Sequence, residues 1–495
     1  MKNLIVFAIL FANLTALSQN SQKPSPANIP PGIAFIREED LRKDLFTLAS
    51  DSMRGRRAGH SDELRAAVWT AEQARKAGLL PAGDDGTYFQ FFPIRRTQVA
   101  TESRLEINNN VINIWQDAWI TAPVRSNAQG AVVWLNSLAD TAANISGKIV
   151  AMNMVPPNPL PAPGMSLWGY RYILSALRQQ GTVLRRKGAA AIIFVADAET
   201  EASIAFAGHG FREGTYVLEG TASPQATNTI PVIIVRKNIG GALSQSNATV
   251  RLALDMENFI YPSVNVIAKA PGTEARLKNE YVLFSGHHDH DGVGVAIDGD
   301  SIWNGADDNA TVSVALLAIG RAWAKKPGKR SGLFVWHGAE ERGLLGSRWY
   351  AEHPTVAKES IIAVLNGDMI GRNNSDSAAL LGSQLPHKNS ADLVAMALTA
   401  NEESSRFKLD TLWDKKEHPE GWYFRSDHLP YARANIPSLF YTTLLHPDYH
   451  TPRDEASRID IKKLARMTQW MYRTGWKVSE KMQRPKLDEG FKLER

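Results

Sequence analysis

Between positions 287 and 450 five side chains able to ligate a metal follow one another. They are His287 in Ser285-Gly286-His287-His288-Asp289, Asp308 in Asn304-Gly305-Ala306-Asp307-Asp308-Asn309, Glu341 in Gly338-Ala339-Glu340-Glu341-Arg342-Gly343, Asp368 in Asn366-Gly367-Asp368, and His450 in Tyr449-His450-Thr451-Pro452. Two imidazoles and three carboxylates without a thiolate make a nitrogen and oxygen donor set, which suits zinc and, less selectively, cobalt or manganese. Three carboxylates leave two dications near neutrality when one carboxylate bridges them, and ions about 3.5–4 Å apart can share a hydroxide, the nucleophile of a two-metal hydrolase. Glu340 precedes Glu341, and in a non-helical segment neighbouring side chains diverge, so one carboxylate can ligate while the other acts as general base. Taken singly, each residue has an ordinary reading: a helix cap, a charged surface pair, a hydrogen-bonded histidine. Their joint occurrence in one order is what points to a metal centre.

For these residues to meet, the chain must bring them to one rim of a sheet. After Pro262 strand-like and helix-like runs alternate, which predicts an α/β domain with a mixed, largely parallel central sheet flanked by helices. The predicted strands are Val264-Ile267, Tyr281-Phe284, Leu333-Trp336, Ile361-Leu365 and Ser438-Tyr441, and the predicted helices include Ala310 to Trp323, Leu344 to His353 and Ile461 to Met482. In open α/β sheets functional groups gather beyond the carboxyl ends of the strands. His287, the Glu340-Glu341 pair, Asp368 and His450 each follow such a strand, and Asp308 joins them from the start of a helix.

Upstream the pattern differs. Leu41, Leu45 and Leu48 recur at helical spacing, and a second helix is expected from Ser61, as its N-cap, to Gly78. The Arg54-Gly55-Arg56-Arg57-Ala58-Gly59 stretch between them reads as a solvated turn, with an arginine cluster facing the active-site cleft as the alternative. Short β-rich runs at Gly130-Leu135, Gly147-Met152, Ala189-Val195 and Ile230-Val235, with a helix from about Tyr170 to Lys187, predict a separate small domain over 124–254 without chemistry of its own. This gives a helical segment over 39–123 that packs on a catalytic domain over 255–485.

Lys2 precedes the apolar run Leu4 to Leu17, and Ala16-Leu17-Ser18 offers the small residues of a cleavage site, so 1–18 is expected to be a signal peptide and 19–38 a flexible, Pro-rich lead-in. The expected address is the periplasm or the medium, with no stable membrane insertion, since no second apolar stretch is long enough to span a bilayer. The chain has no cysteine, which removes disulfides, thiolate metal sites and a cysteine nucleophile. A net charge of +5 without a Lys/Arg run gives no support for a nucleic-acid surface. Oligomeric state is not legible.

The segments Gly286-His287-His288-Asp289-His290, Asn304 to Ala310, Gly338 to Ser347, Asn366 to Arg372, Arg425-Ser426-Asp427-His428 and Asp448 to Pro452 resemble, in order, those of peptidase family M28, the dizinc aminopeptidase-type hydrolases. The resemblance implies the zinc-exopeptidase fold and two zinc ions, with cobalt or manganese as substitutes. Asp308 would bridge them, His287 and Asp368 complete one site, and Glu341 and His450 the other. It also implies Glu340 as general base, Asp289 as the carboxylate that orients His287, and Tyr449 as a donor to the tetrahedral oxyanion. The 124–254 block resembles the protease-associated (PA) domain inserted in many members, through Gly147-Lys148-Ile149-Val150 and Arg186 to Ala191; such inserts cover part of the cleft. The implied activity is release of N-terminal residues from peptides with a free N-terminus. A carboxypeptidase, a dipeptidase or a glutaminyl cyclase is the alternative among enzymes, and a non-catalytic binding protein, as in the transferrin receptor, the alternative of another class. Ala310-Thr311-Val312 departs from the Ser-Gly pair of many relatives, with only a packing difference expected.

Overall fold

Long apolar runs in the second half of the chain build one large sheet, and a series of shorter ones builds another. The computed structural model describes residues 29–140, 144–221 and 230–495. The expected signal segment 1–18 and the lead-in residues 19–28 lie outside the described residues.

In chain order the large sheet consists of β1 Leu80–Pro81, β2 Phe89–Val99, β3 Thr215–Leu218, β4 Met256–Ala270, β5 Tyr281–His287, β6 Ser331–His337, β7 Ile361–Gly367, β8 Ser377–Leu381, β9 Lys408–Leu409 and β10 Ser438–Thr442. Across the sheet the order is β9-β8-β10-β7-β5-β6-β4-β2-β3, with β1 paired to β4. The central strands β10, β7, β5 and β6 are parallel. The pairs β8 with β10, β4 with β6, β2 with β4 and β2 with β3 are antiparallel, so the sheet is parallel at its heart and mixed overall.

Apart from the half-buried Tyr281 at the start of β5, the four central strands are buried along their length, as expected of parallel strands covered on both faces. Val282, Phe284, Phe334 and Trp336 face the helices Thr311–Lys325 and Ile461–Glu480, whereas Leu283, Leu333, Val335 and Val364 face Tyr350 and Tyr431 on the other side. Phe284 stacks on Phe334 at 5.4 Å and meets Trp323 edge-on at 5.4 Å. The parallel register sets the carboxyl ends of β5, β6 and β7 side by side. No helix among the described residues is long and apolar enough to cross a membrane.

The second sheet has eight strands, running across it as Asn110–Ile112, Arg104–Ile107, Thr249–Leu254, Ser126–Leu135, Ile149–Asn153, Ala191–Val195, Val232–Val235 and Ala118–Ile120. It therefore begins at Arg104 and not near Val124. The first three strands in the sequence are only three or four residues long and leave no visible apolar run. Phe89–Val99, assigned from sequence to a helical segment, belongs to the large sheet, where it pairs with β4 from Val99 to Phe89. The helices Trp168–Arg186 and Ala198–Glu213 supply Tyr172, Ile173, Leu184 and Phe211 to the core beneath this second sheet.

Four further expectations are corrected. The end of the lead-in is packed: Ile33–Phe35 forms a 3-10 turn, Ile36 is buried, and a Cβ on Gly32 would lie 2.3 Å from the Tyr472 hydroxyl. The helix Ser61–Lys76 has His60 at its N-cap position, with no side-chain capping bond. The Arg54–Gly59 stretch is not a solvated turn as a whole, because Arg56 is fully buried. A left-handed Gly55, φ 66°, turns it inward, and a Cβ there would lie 2.4 Å from the Trp303 carbonyl oxygen. Finally, structure does not stop near 485. The C-terminal residues return to the body, with Arg495 over the Phe424 ring at 4.0 Å and Glu494 Oε1 2.9 Å from His387 Nε2.

His387 Nδ1 meets Asp414 Oδ1 at 2.9 Å, and its ring stacks on Tyr423 at 4.2 Å. Burial works against a charge there, but the carboxylates of Asp414 and Glu494 outweigh it and raise the imidazole pKa above 6.5. A raised folded pKa contributes stability that is complete below about pH 6.5 and is lost as pH rises through the folded value. Hydrogen exchange of the last residues is expected to quicken as pH is raised through that range, beyond the intrinsic rate change, and His387→Gln is expected to abolish the excess.

Candidate metal centre

β5 ends at His287, β6 at His337 just before Glu340 and Glu341, β7 at Gly367 before Asp368, and β10 at Thr442 before the loop to His450. Asp308 lies in a single turn, Ala306–Ala310, that leads into Thr311–Lys325. Its two carboxylate oxygens face two imidazoles: Oδ1 is 3.2 Å from His287 Nε2 and Oδ2 is 3.2 Å from His450 Nε2. His287 Nε2 also lies 3.6 Å from Asp368 Oδ2, and His450 Nε2 lies 3.3 Å from Glu341 Oε2. Glu340 stands slightly farther off, with Oε2 3.9 Å from His287 Nε2. All five ligand candidates and Glu340 thus converge.

Donor atoms of His287, Glu340 and Asp368, of His287, Asp308 and Glu341, and of Asp291, Glu341 and His450 each lie within 4.8 Å of one another. These sets cut across the expected two triads, and Asp291 is the newcomer. It meets His450 through Nδ1, at 2.9 Å, the nitrogen that faces away from Asp308. That geometry fixes the ring's tautomer and direction and leaves Nε2 for a ligand, the usual arrangement behind a metal-bound imidazole. His450 Nε2 and Asp368 Oδ1 are buried without a hydrogen-bond partner among the described residues. Burial works against a charged His287, yet the carboxylates of Glu340, Asp308 and Asp368 outweigh it and hold its pKa well above 6.5. Burial, with Glu341, Asp427 and Asp368 nearby, pushes Glu340 well above the usual carboxylate range. Carboxylates crowded in a dry site with orphaned donor atoms fit a pair of divalent cations.

Asp289 is placed differently from the expectation. His287 Nδ1 points to the Asp289 main-chain oxygen at 3.2 Å, and the carboxylate is 3.8 Å away. That carboxylate instead accepts from the main-chain N–H groups of Glu340, at 3.0 Å, and Glu341, at 3.3 Å. Asp289 therefore ties the His287 strand end to the Glu340-Glu341 turn. Tyr449 is buried beside its neighbour His450, and its hydroxyl accepts from Arg425 Nη2 at 2.9 Å.

Several further residues hold the centre. Asp454 accepts from the main-chain N–H groups of Asp307 and Asp308 at 3.0 Å. His290 Nδ1 lies 2.9 Å from Glu341 Oε1. Arg56 donates to the carbonyl oxygens of His288 at 2.8 Å, Asn304 at 2.6 Å, Gly305 at 2.8 Å and Leu48 at 3.1 Å, joining the two strand-end segments that carry His287 and Asp308. The alternation His287, Asp289, Asp291 along an extended segment is the one signal that could have marked Asp291. The departure at Ala310-Thr311-Val312 does more than fill space, since Thr311 Oγ1 donates to Asp307 O at 2.8 Å. Val312 fills the gap between Gly286 and Gly367, whose added Cβ atoms would lie 2.4 Å and 3.0 Å from its Cγ1.

The helix Ala198–Glu213 and the neighbouring β3 form one wall of a cavity of about 540 Å³ in front of the centre, reached by Glu341 and His450. Phe206 of that helix stacks on Trp303 at 5.5 Å, and Glu213 pairs with Arg57. The insert, read from sequence as a block without chemistry, thus supplies part of the site's enclosure.

Fold and centre together define a mixed α/β protein with a candidate N/O-donor metal site at the carboxyl ends of parallel strands. The fold matches those of an aminopeptidase from Aneurinibacillus sp. strain AM-1 and of BSAP, a zinc aminopeptidase from Bacillus subtilis. In each case the TM-score is 0.57 at 19% identity, covering 92% of this chain and 98% and 99% of those chains, respectively. Residues 265–474, 210 of the chain's 495, match the model of peptidase family M28. Among curated relatives, aminopeptidase YwaD of Bacillus subtilis is 27% identical over 267 residues, 52% of this chain and 53% of that protein. An aminopeptidase of Pseudomonas aeruginosa is 33% identical over 149 residues, 29% of this chain and 25% of that protein. The chain therefore spans about half, or less, of the curated relatives' length.

Replacing Arg56 by Met leaves buried carbonyl oxygens without their donors, each costing about 1–3 kcal/mol. Urea unfolding of Arg56→Met is expected to show a loss of at least about 3 kcal/mol.

Proposed function

We propose that the protein is an exported dizinc aminopeptidase that releases N-terminal residues from short peptides. The observation that carries this reading is the placement of Asp308, whose two oxygens each lie 3.2 Å from the Nε2 atom of a different histidine. Such a carboxylate spans two cation positions. His287 and Asp368 would complete one, and Glu341 and His450 the other. Two divalent ions held there supply Lewis acidity, lowering the pKa of a water and polarising a carbonyl.

The chain's own residues do the rest. Glu340, beside the ligands and with its pKa raised by burial, takes the proton of the attacking water and passes it to the leaving amine. Burial keeps the Tyr449 phenol protonated, and Arg425 fixes its oxygen, so its O–H is free to donate to the oxyanion. Asp291 and Asp289 hold His450 and the Glu340-Glu341 turn in place. The presence of Glu340 with all five ligand candidates favours an enzyme over a binding scaffold. The insert that resembles a PA domain starts at about Arg104, where the second sheet begins. Export rests on Lys2 and the apolar run Leu4 to Leu17, and N-terminal sequencing of protein recovered outside the cytoplasm is expected to begin near Gln19.

Glu340→Gln is expected to retain two metal ions per chain while turnover falls at least about a hundredfold; near-normal turnover with metal retained removes Glu340 from this role. Hydrolysis is expected to require a free α-amine. Efficient cleavage of N-acetylated peptides would overturn the aminopeptidase assignment and leave the metal centre standing.

A further inference from the structure

The lining of the cavity in front of the centre holds three arginines, Arg342, Arg348 and Arg425, beside the carboxylates of Glu213, Asp291 and Glu341. Arg425 lies on its wall beside Tyr449, the residue that precedes the ligand candidate His450. Its Nη1 donates to Glu420 Oε2 at 3.0 Å and its Nη2 to the Tyr449 hydroxyl at 2.9 Å. Glu420, buried at 8% exposure, is shared, because Arg171 from the insert's first helix binds the same oxygen. Two guanidinium groups thus divide one carboxylate. Arg348, on the same lining, has no side-chain hydrogen bond or ion pair among the described residues. The other arginine of the lining, Arg342, is matched by Asp291 at 3.2 Å. A guanidinium has five N–H donors, so Arg425 keeps three beyond its two bonds.

A substrate that presents its scissile carbonyl at the centre leads its next residue into this cavity. In a dipeptide the terminal carboxylate carbon is two bonds from the scissile nitrogen, about 2.5 Å away, whereas a longer peptide has an uncharged amide there. A volume of about 540 Å³ holds a short peptide and not a folded chain. Resting on the aminopeptidase reading above, we infer that this cavity selects substrates bearing a carboxylate on the residue after the scissile bond, received by the Arg425 guanidinium. The favoured source is the α-carboxylate of a dipeptide; an acidic side chain at that residue offers the same chemistry.

The test uses the full chain loaded with zinc and three substrates, Leu-Gly, Leu-Gly amide and Leu-Asp amide. Leu-Gly is expected to exceed its amide in kcat/KM by on the order of tenfold or more, the scale of a charge-assisted hydrogen bond in a dry site. Arg425→Gln is expected to bring that ratio close to one, and Arg425→Lys to restore part of it, a pattern that mere loss of packing does not produce. Recovery with Leu-Asp amide assigns the site to a carboxylate from either source, and its absence restricts it to the terminal one. Calorimetric binding of D-Leu-Gly against its amide repeats the comparison without turnover. Equal kcat/KM and equal binding for acid and amide overturn the inference while the peptidase reading stands. Failure of the metal-loaded protein to hydrolyse any of the three overturns that reading and this inference with it.

Discussion

Carboxylates do not gather in a protein interior unless something opposes their charge. Asp308, Glu340 and Asp368 are buried within a few ångströms of one another, with Glu341, Asp289 and Asp291 close behind. Like charges this close repel by amounts that side-chain packing cannot offset in a medium of low dielectric. Divalent cations would resolve the conflict, given a backbone that keeps the ligands in place. The neighbouring tethers are therefore main-chain ones. Asp454 and Asp289 accept from peptide N–H groups, and Arg56 donates to peptide carbonyls. Bonds to the backbone fix where a ligand starts without competing for its donor atoms.

Much of this was legible in the sequence because it is local. A continuous apolar run followed by Gly-His, Gly-Asp or Gly-Ala-Glu-Glu marks the end of a buried parallel strand, and the rule that functional groups gather there needs no knowledge of strand order. Glycines 286 and 367 in those motifs have a packing cause, since both strand ends close on Val312. What stayed hidden depends on contacts distant in sequence. Arg56 reaches His288 across 232 positions, and a Gly/Arg-rich stretch has the composition of a surface turn whichever way its arginines point. Asp454 sits in an ordinary polar loop. The insert's boundary was blurred by strands too short to show a period.

The insert illustrates the same limit. Its helix Ala198–Glu213 holds no recognisable motif, yet Phe206 meets Trp303 and Glu213 meets Arg57 at the edge of the cavity. Neither pair can be read from one sequence, because each becomes meaningful only when a partner distant in the chain arrives beside it. The centre and its enclosure are thus encoded at different ranges along the chain.

β3 bears on how the two bodies move. The insert leaves the large sheet after Val99 and rejoins it at Met256, on adjacent paired strands that alone would make a two-stranded hinge. Midway through, Thr215 to Leu218 returns to pair with β2, matching Thr97 through Ile94. A body anchored at three places cannot rotate about one axis without breaking a ladder of main-chain hydrogen bonds. The main-chain ladder between Thr215–Leu218 and Ile94–Thr97 accordingly opposes a swing of the insert about that strand pair.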